Sequence, residues 1–255
     1  MMSATTLPVR ERPILFSGPM VRSILADQKT QTRRVMKPQP PEWIREFGYT
    51  CMTPPGHISG RGYWKGVPGE EGPGEKFFPC PHGAVGDRLW VRETFALQTC
   101  VDGEEPPFAD GRPIWQRPES DWDGLLPLWT QPHYRATDPA PDLCCECERC
   151  AQCRDGDAAP HWRPSIFMPR WASRITLELT GVRVERVQEI SEADAIAEGC
   201  SRDYNDVPWC TDQACTHRGA QWHFRSIWDS LNAKRGYGWD LNPWVWVLAF
   251  RRITP

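Results

Sequence analysis

Apolar and polar positions change period several times along this chain, and each change marks an element. Met20, Val21, Ile24 and Leu25 recur at helical spacing behind Ser17, a suitable helix cap, and Pro19, which fits a first turn. This predicts a short helix ending near Asp27-Gln28. Lys29 to Val35 then reads as a strand in which Thr30 and Thr32 point to the same side, because strand side chains alternate. From Asp87 to about Ala96 a second strand alternates Leu89, Val91 and Phe95 with Trp90, Arg92 and Thr94. Leu89 and Val91 are expected to face the core, which leaves Trp90 and Arg92 toward a second surface.

Ile175, Leu177 and Leu179 open a third strand behind the segment Met168 to Arg174, and Val182, Val184 and Val187 prolong the alternation after Gly181. Ser191 with Asp194 fits an N-terminal capping box and Gly199 a C-terminal stop, so a short helix is predicted between them. Phe224, Ile227, Trp228 and Leu231 stand at i, i+3, i+4 and i+7, the pattern of an amphipathic helix. Trp244 to Phe250 is apolar on both faces, as expected of a strand covered on each side.

Between these elements the pattern lapses at about 38–83, 100–161 and 200–219. The 26 prolines and 20 glycines are concentrated in a few such stretches. The expected organisation is therefore one α+β domain over residues 12–255, with three long loop insertions and no internal repeat. At 255 residues such a domain can bury a substantial core. Net charge is only −3, but it is unevenly spread. Residues 1–37 carry seven Lys/Arg against two Asp/Glu, and residues 101–123 carry two against seven. A basic patch on a near-neutral chain suits a phosphate-bearing ligand or a short nucleic acid better than a long duplex. Arg34, Trp90, Arg92 and Glu93 are the next binding candidates: Arg92, on the face opposite Leu89 and Val91, to hold a phosphate and Trp90 to stack on a base, against the alternative that Trp90 is a packing residue and Arg92 pairs with Glu93 or a carboxylate of an insertion.

Three separated segments carry a family resemblance: Lys29-Thr30-Gln31-Thr32-Arg33-Arg34, Gly86-Asp87-Arg88-Leu89-Trp90-Val91-Arg92-Glu93, and Ser191 to Gly199 with its Glu198-Gly199 ending. Together and in this order they resemble the ASCH domain, a branch of the PUA-like superfamily of small β-barrels that handle RNA, nucleosides or modified bases. The resemblance implies a PUA-like barrel with flanking helices. In ASCH-type amidohydrolases that deacetylate N4-acetylcytidine it assigns catalytic work to a Lys, a Thr and a Glu, which fall here on Lys29, Thr32 and Glu198. A partly desolvated lysine can act as base toward a hydroxyl, Thr32 would attack or position a water, and Glu198 would orient Lys29 or protonate the leaving amine. No metal is needed for that chemistry. A non-catalytic reader of RNA, DNA or modified bases, a ribonuclease, and an accessory protein binding a partner through the Trp-rich acidic insertion are the competing readings. The arrangement, including Met168-Pro169-Arg170-Trp171-Ala172-Ser173-Arg174, is similar to ASCH proteins of phages and prophages, which implies the cytosol of a bacterial host.

The start of the chain lacks the pattern of a secretory signal, and no apolar run approaches membrane length, so the eleven cysteines are expected in a reducing cytoplasm. There, clustered cysteines more often mean metal than disulfide. Cys144, Cys147, Cys150 and Cys153 stand in three successive C-x-x-C steps, the ligand number of a structural zinc site, with an iron–sulfur cluster as competitor. Cys210, Cys215 and His217, with Cys200, form a weaker second group.

Overall fold

A computed structural model describes residues 8–50, 63–68, 76–100, 113–116, 129–139, 141, 160–201 and 219–253. Among them the chain is mixed α+β, mostly sheet with few helices. Eleven strands are described: β1 (Glu11–Leu15), β2 (Gln31–Val35), β3 (Ile44–Thr50), β4 (Tyr63–Pro68), β5 (Lys76–Phe78), β6 (Arg88–Arg92), β7 (Phe95–Cys100), β8 (Trp115–Gln116), β9 (Trp129–Tyr134), β10 (Thr176–Arg186) and β11 (Trp244–Ile253). The α-helices are α1 (Gly18–Leu25), α2 (Glu192–Ala197) and α3 (Ala220–Asn232). The strands form sheets of order β1-β6-β10-β11-β2, β3-β4-β5 and β7-β9-β8, and none closes into a barrel among the described residues. No helix among them is long and apolar enough to cross a membrane. The chain divides into two compact units: residues 1–11, 26–88 and 178–252, and residues 12–25, 89–177 and 253–255.

In the first unit β2 runs antiparallel to β11, with Thr32 opposite Leu248, Arg33 opposite Val247 and Arg34 opposite Trp246. β11 is buried from Trp244 to Leu248 on both faces, as its apolar run predicts. One of those faces is covered by α2 and α3, where Val245 and Val247 join Ala195, Phe224 and Trp228 in a common core. Only Phe224 and Trp228 of the four expected α3 positions are fully buried, and Leu231 lies at the exposed end of the stripe. The start of α2 is fixed by Ser191, whose hydroxyl accepts a hydrogen bond from the Asp194 amide at 3.1 Å. Its end is fixed by Gly199 at φ 86°, a left-handed conformation that glycine adopts without a Cβ clash. Glu192 reaches across to accept hydrogen bonds from the Ala220 and Gln221 amides, capping α3 from a different helix.

The stretch 38–83, expected to be loop, contains the β3-β4-β5 sheet. Its side chains make real contacts, with Phe47 packing edge-on against Trp244 at 4.9 Å and Phe78 at 5.4 Å. Prolines and glycines had masked this short meander. Gly66 is one reason: a Cβ there would run into the side chain of Ile44, so the strand needs the residue that weakens its sequence signal.

In the second unit α1 buries Val21 and Ile24, and the segment expected to be one strand from Asp87 to Ala96 is two, β6 and β7, broken at Glu93-Thr94. β7 pairs antiparallel with β9, with Phe95 opposite Tyr134 and Cys100 opposite Trp129, inside a stretch read from sequence as insertion. Phe95, Tyr134, Met168 and Ala172 form the local core, and the Tyr134 hydroxyl donates to the Ala172 carbonyl at 2.8 Å.

Candidate functional site

The densest polar arrangement in the first unit grows from the junction of β2 with the end of α2. The Thr30 amide donates to the Ala197 carbonyl at 2.8 Å, and this bond sets Lys29 beside Glu198. Lys29 Nζ donates to Glu198 Oε2 at 2.6 Å and to the Glu198 carbonyl at 2.7 Å. Their side chains are only 1% and 6% exposed. Two residues along β2, Arg33 uses its whole guanidinium fork. It donates to Glu185, to Gln31 Oε1 at 2.8 Å, to Glu198 Oε1 at 3.2 Å and to Asp194 Oδ2 at 3.1 Å. Arg183 from β10 closes the group through Glu185 Oε2 at 2.9 Å and Asp194 Oδ2 at 2.6 Å. Three cations (Lys29, Arg33, Arg183) therefore face three carboxylates (Glu185, Asp194, Glu198), and the face of the Phe224 ring lies 5.6 Å from Arg33. Charge balance and complete hydrogen bonding are what make such burial tolerable.

The electrostatics follow the geometry. Burial pushes the Asp194 carboxyl up, but Arg183, Arg33 and the Gln31 amide outweigh it and hold the group below its ordinary value. Burial lowers Arg34, partly countered by Glu198. Cys200, in the apolar core next to this group, is pushed up to about 12 by burial and by Glu198, so its thiol stays protonated and packs as a small apolar side chain.

Of the residues expected from sequence, the structure brings Lys29 and Glu198 into direct contact. Thr32 is buried and sits one step along the strand from Arg33; pleating sends it, with Arg34, to the face opposite Gln31 and Arg33. Gln31, Arg33, Arg183, Glu185 and Asp194 are members of the cluster that the sequence reading did not name. The signal was available in part, since Gln31 and Arg33 alternate with Thr32, and Arg183 and Glu185 alternate with Val182 and Val184. Asp194 had been read only as a partner in the helix cap.

Trp90, Arg92 and Glu93 belong to the second unit. Trp90, expected to point toward a second surface, is 7% exposed, with Arg92 over its ring at 4.6 Å and Arg170 at 5.9 Å. Glu93 is buried and held in a two-point bond by Arg174 at 3.0 and 3.1 Å, while the Arg174 guanidinium also lies 3.9 Å from the Tyr134 ring centre. Burial raises Glu93 above its ordinary value, against the pull of Arg174. Cys144, Cys147, Cys150 and Cys153, the Trp-rich acidic stretch and the Cys210–His217 group lie outside the described residues. Among the described residues no group of three His, Cys, Asp or Glu side chains is placed to hold a metal ion.

No protein-family model, curated protein or solved structure matches this chain.

Proposed function

We propose that this is an ASCH-type protein of PUA-like fold that hydrolyses the amide of an N4-acylated cytosine, acting on a nucleoside, a nucleotide or a base in a single strand. The observation that carries the reading is the Lys29–Glu198 pair. These two residues are 169 positions apart, both come from the segments that resemble the family, and they meet at 2.6 Å in a nearly dry environment. A short N–H···O contact between an amine and a carboxylate is suited to passing one proton back and forth.

In the reaction Lys29 gives its proton to Glu198 and then takes one from a water that attacks the acyl carbonyl. The tetrahedral adduct collapses as the C–N4 bond breaks, and Glu198 hands its proton to the departing amine, yielding the free cytosine and a carboxylic acid. Water is the simplest nucleophile here, because Thr32 occupies the opposite face of β2 from the Arg33 cluster. Lys29→Gln is expected to lower turnover of N4-acetylcytidine by about 10²–10⁴, with the melting temperature followed in parallel. Thr32→Val, which removes the hydroxyl, should retain activity if water is the nucleophile. A folded Lys29→Gln protein with unchanged turnover would remove Lys29 from the chemistry.

A binding module without turnover is the second reading, favoured by one observation. Lys29 Nζ already has two protein acceptors, and its side chain is 1% exposed. In that reading the pair clamps β2 to α2, and the protein binds its ligand elsewhere without cleaving it.

The cysteine quartet at residues 144–153 is proposed to hold one structural zinc. One zinc per chain by elemental analysis supports this, iron with visible absorbance points to a cluster, and no stoichiometric metal contradicts both.

A further inference from the structure

Arg33 fills an unspecified position of the Lys29–Arg34 motif, so the family resemblance gives it no role. Its bonds nevertheless tie the cluster together. Nε donates to Glu185 Oε1 at 2.9 Å, Nη1 to Gln31 Oε1 at 2.8 Å and Nη2 to Asp194 Oδ2 at 3.1 Å. These partners stand on β10, β2 and α2, and together they fix the plane of the guanidinium without help from Glu198. The remaining bond, from Nη1 to Glu198 Oε1 at 3.2 Å, is therefore imposed on Glu198 and not set by it. The Arg33 side chain is fully buried, so bulk water does not compete for that bond.

Glu198 needs such a post. It is the C-terminal cap of α2, where a carboxylate meets the partial negative charge of the helix end and gains nothing from the helix itself. Lys29 takes only one carboxylate oxygen, Oε2, and spends its second bond on the Glu198 carbonyl. Arg33 takes the other oxygen, which fixes the carboxylate plane. The two cations differ in permanence. Lys29 becomes a neutral amine in the proton transfers proposed above and then ceases to be a counter-charge, whereas a guanidinium keeps its proton. Arg33 thus remains a cation bonded to Glu198 at every stage. It also favours the carboxylate over the carboxylic acid, which opposes the first transfer from Lys29 but assists release of the Glu198 proton to the departing amine.

We propose that Arg33 is a positioning residue for the Lys29–Glu198 pair, a role that rests on the hydrolase reading: it holds the Glu198 carboxylate in register while Lys29 is neutral and promotes proton donation to the leaving amine. Steady-state turnover of N4-acetylcytidine by the full chain, as wild type, Arg33→Gln and Arg33→Lys, tests it at a temperature well below each protein's measured melting point. Arg33→Gln removes both the charge and the fork. It should lower kcat by about 10²-fold and leave KM unchanged, since the lost contact acts in the transition state and not on bound substrate. Arg33→Lys keeps a cation without the fork and should recover part of that loss, again at unchanged KM. If Arg33→Gln does not fold, Arg33→Lys decides alone, with kcat below wild type expected. A purely structural Arg33 would give a lower melting temperature with wild-type kcat in the folded variants. That result, or a raised KM at unchanged kcat, would overturn the positioning role while wild-type turnover keeps the hydrolase reading. No turnover by the folded wild type would instead remove the hydrolase reading, and the role of Arg33 with it.

Discussion

At the scale of single residues, the six-charge cluster sets strict terms for substitution. Glu198 faces both Lys29 and Arg33, so Glu198→Gln leaves a fully buried ammonium without its counter-charge. Removing one partner of a buried pair costs about 3–5 kcal/mol, a large fraction of the 5–15 kcal/mol that holds a typical domain together. Replacing both members by apolar groups of similar size should cost much less than the two single changes added together. Urea denaturation of Lys29→Met, Glu198→Leu and the double variant measures this. Additive losses would mean that the two side chains are not coupled in solution. The same cluster explains why the chemistry must be read from conservative variants: Lys29→Ala risks unfolding the site before its rate is measured.

At the scale of elements, the short helix α2 positions both Glu198 and Asp194, and its six residues are too few to persist on their own. Its two ends do that work. Ser191→Ala removes the side-chain acceptor for the Asp194 amide and should cost about 1 kcal/mol, read as a lowered melting temperature. An unchanged melting temperature would show that tertiary contacts alone hold the helix. This helix was legible in the sequence because caps are local: Ser191, Asp194 and Gly199 each do what their chemistry dictates within a turn. The α1, α3 and β11 patterns were legible because hydrophobic periodicity is also read within a single element. The β3-β4-β5 sheet was not, since Gly66 serves a close approach to Ile44 that no local pattern reveals. Nor was the break at Glu93-Thr94, which is set by partners far along the chain, Arg174 and Arg135. The site divides likewise. Lys29 and Glu198 came from a motif, whereas Arg33 required knowing that β2, β10 and α2 converge.

At the scale of the whole molecule, the two units carry titrating carboxylates of opposite sense. Asp194 is held below its ordinary value, so its contribution is present above the unfolded value of about 3.9 and is lost as pH falls through the folded value. Glu93 is raised, so its contribution is complete below the unfolded value of about 4.3 and is lost as pH rises through the folded value. Denaturation across the acid range should therefore show the gap between wild type and Asp194→Asn shrinking as pH falls. Glu93→Gln should gain on wild type as pH rises. Parallel pH curves for all three proteins would contradict both assignments.

The hydrolase reading is tested most directly by mixing wild-type protein in molar excess with N4-acetylcytidine and separating the nucleosides by chromatography over time. Cytidine and acetate are expected to appear in equal amounts, at a rate unaffected by metal chelators and lost in folded Lys29→Gln protein. Intact N4-acetylcytidine after prolonged incubation with folded wild-type protein would contradict it and leave the Lys29–Glu198 pair as a clamp between β2 and α2.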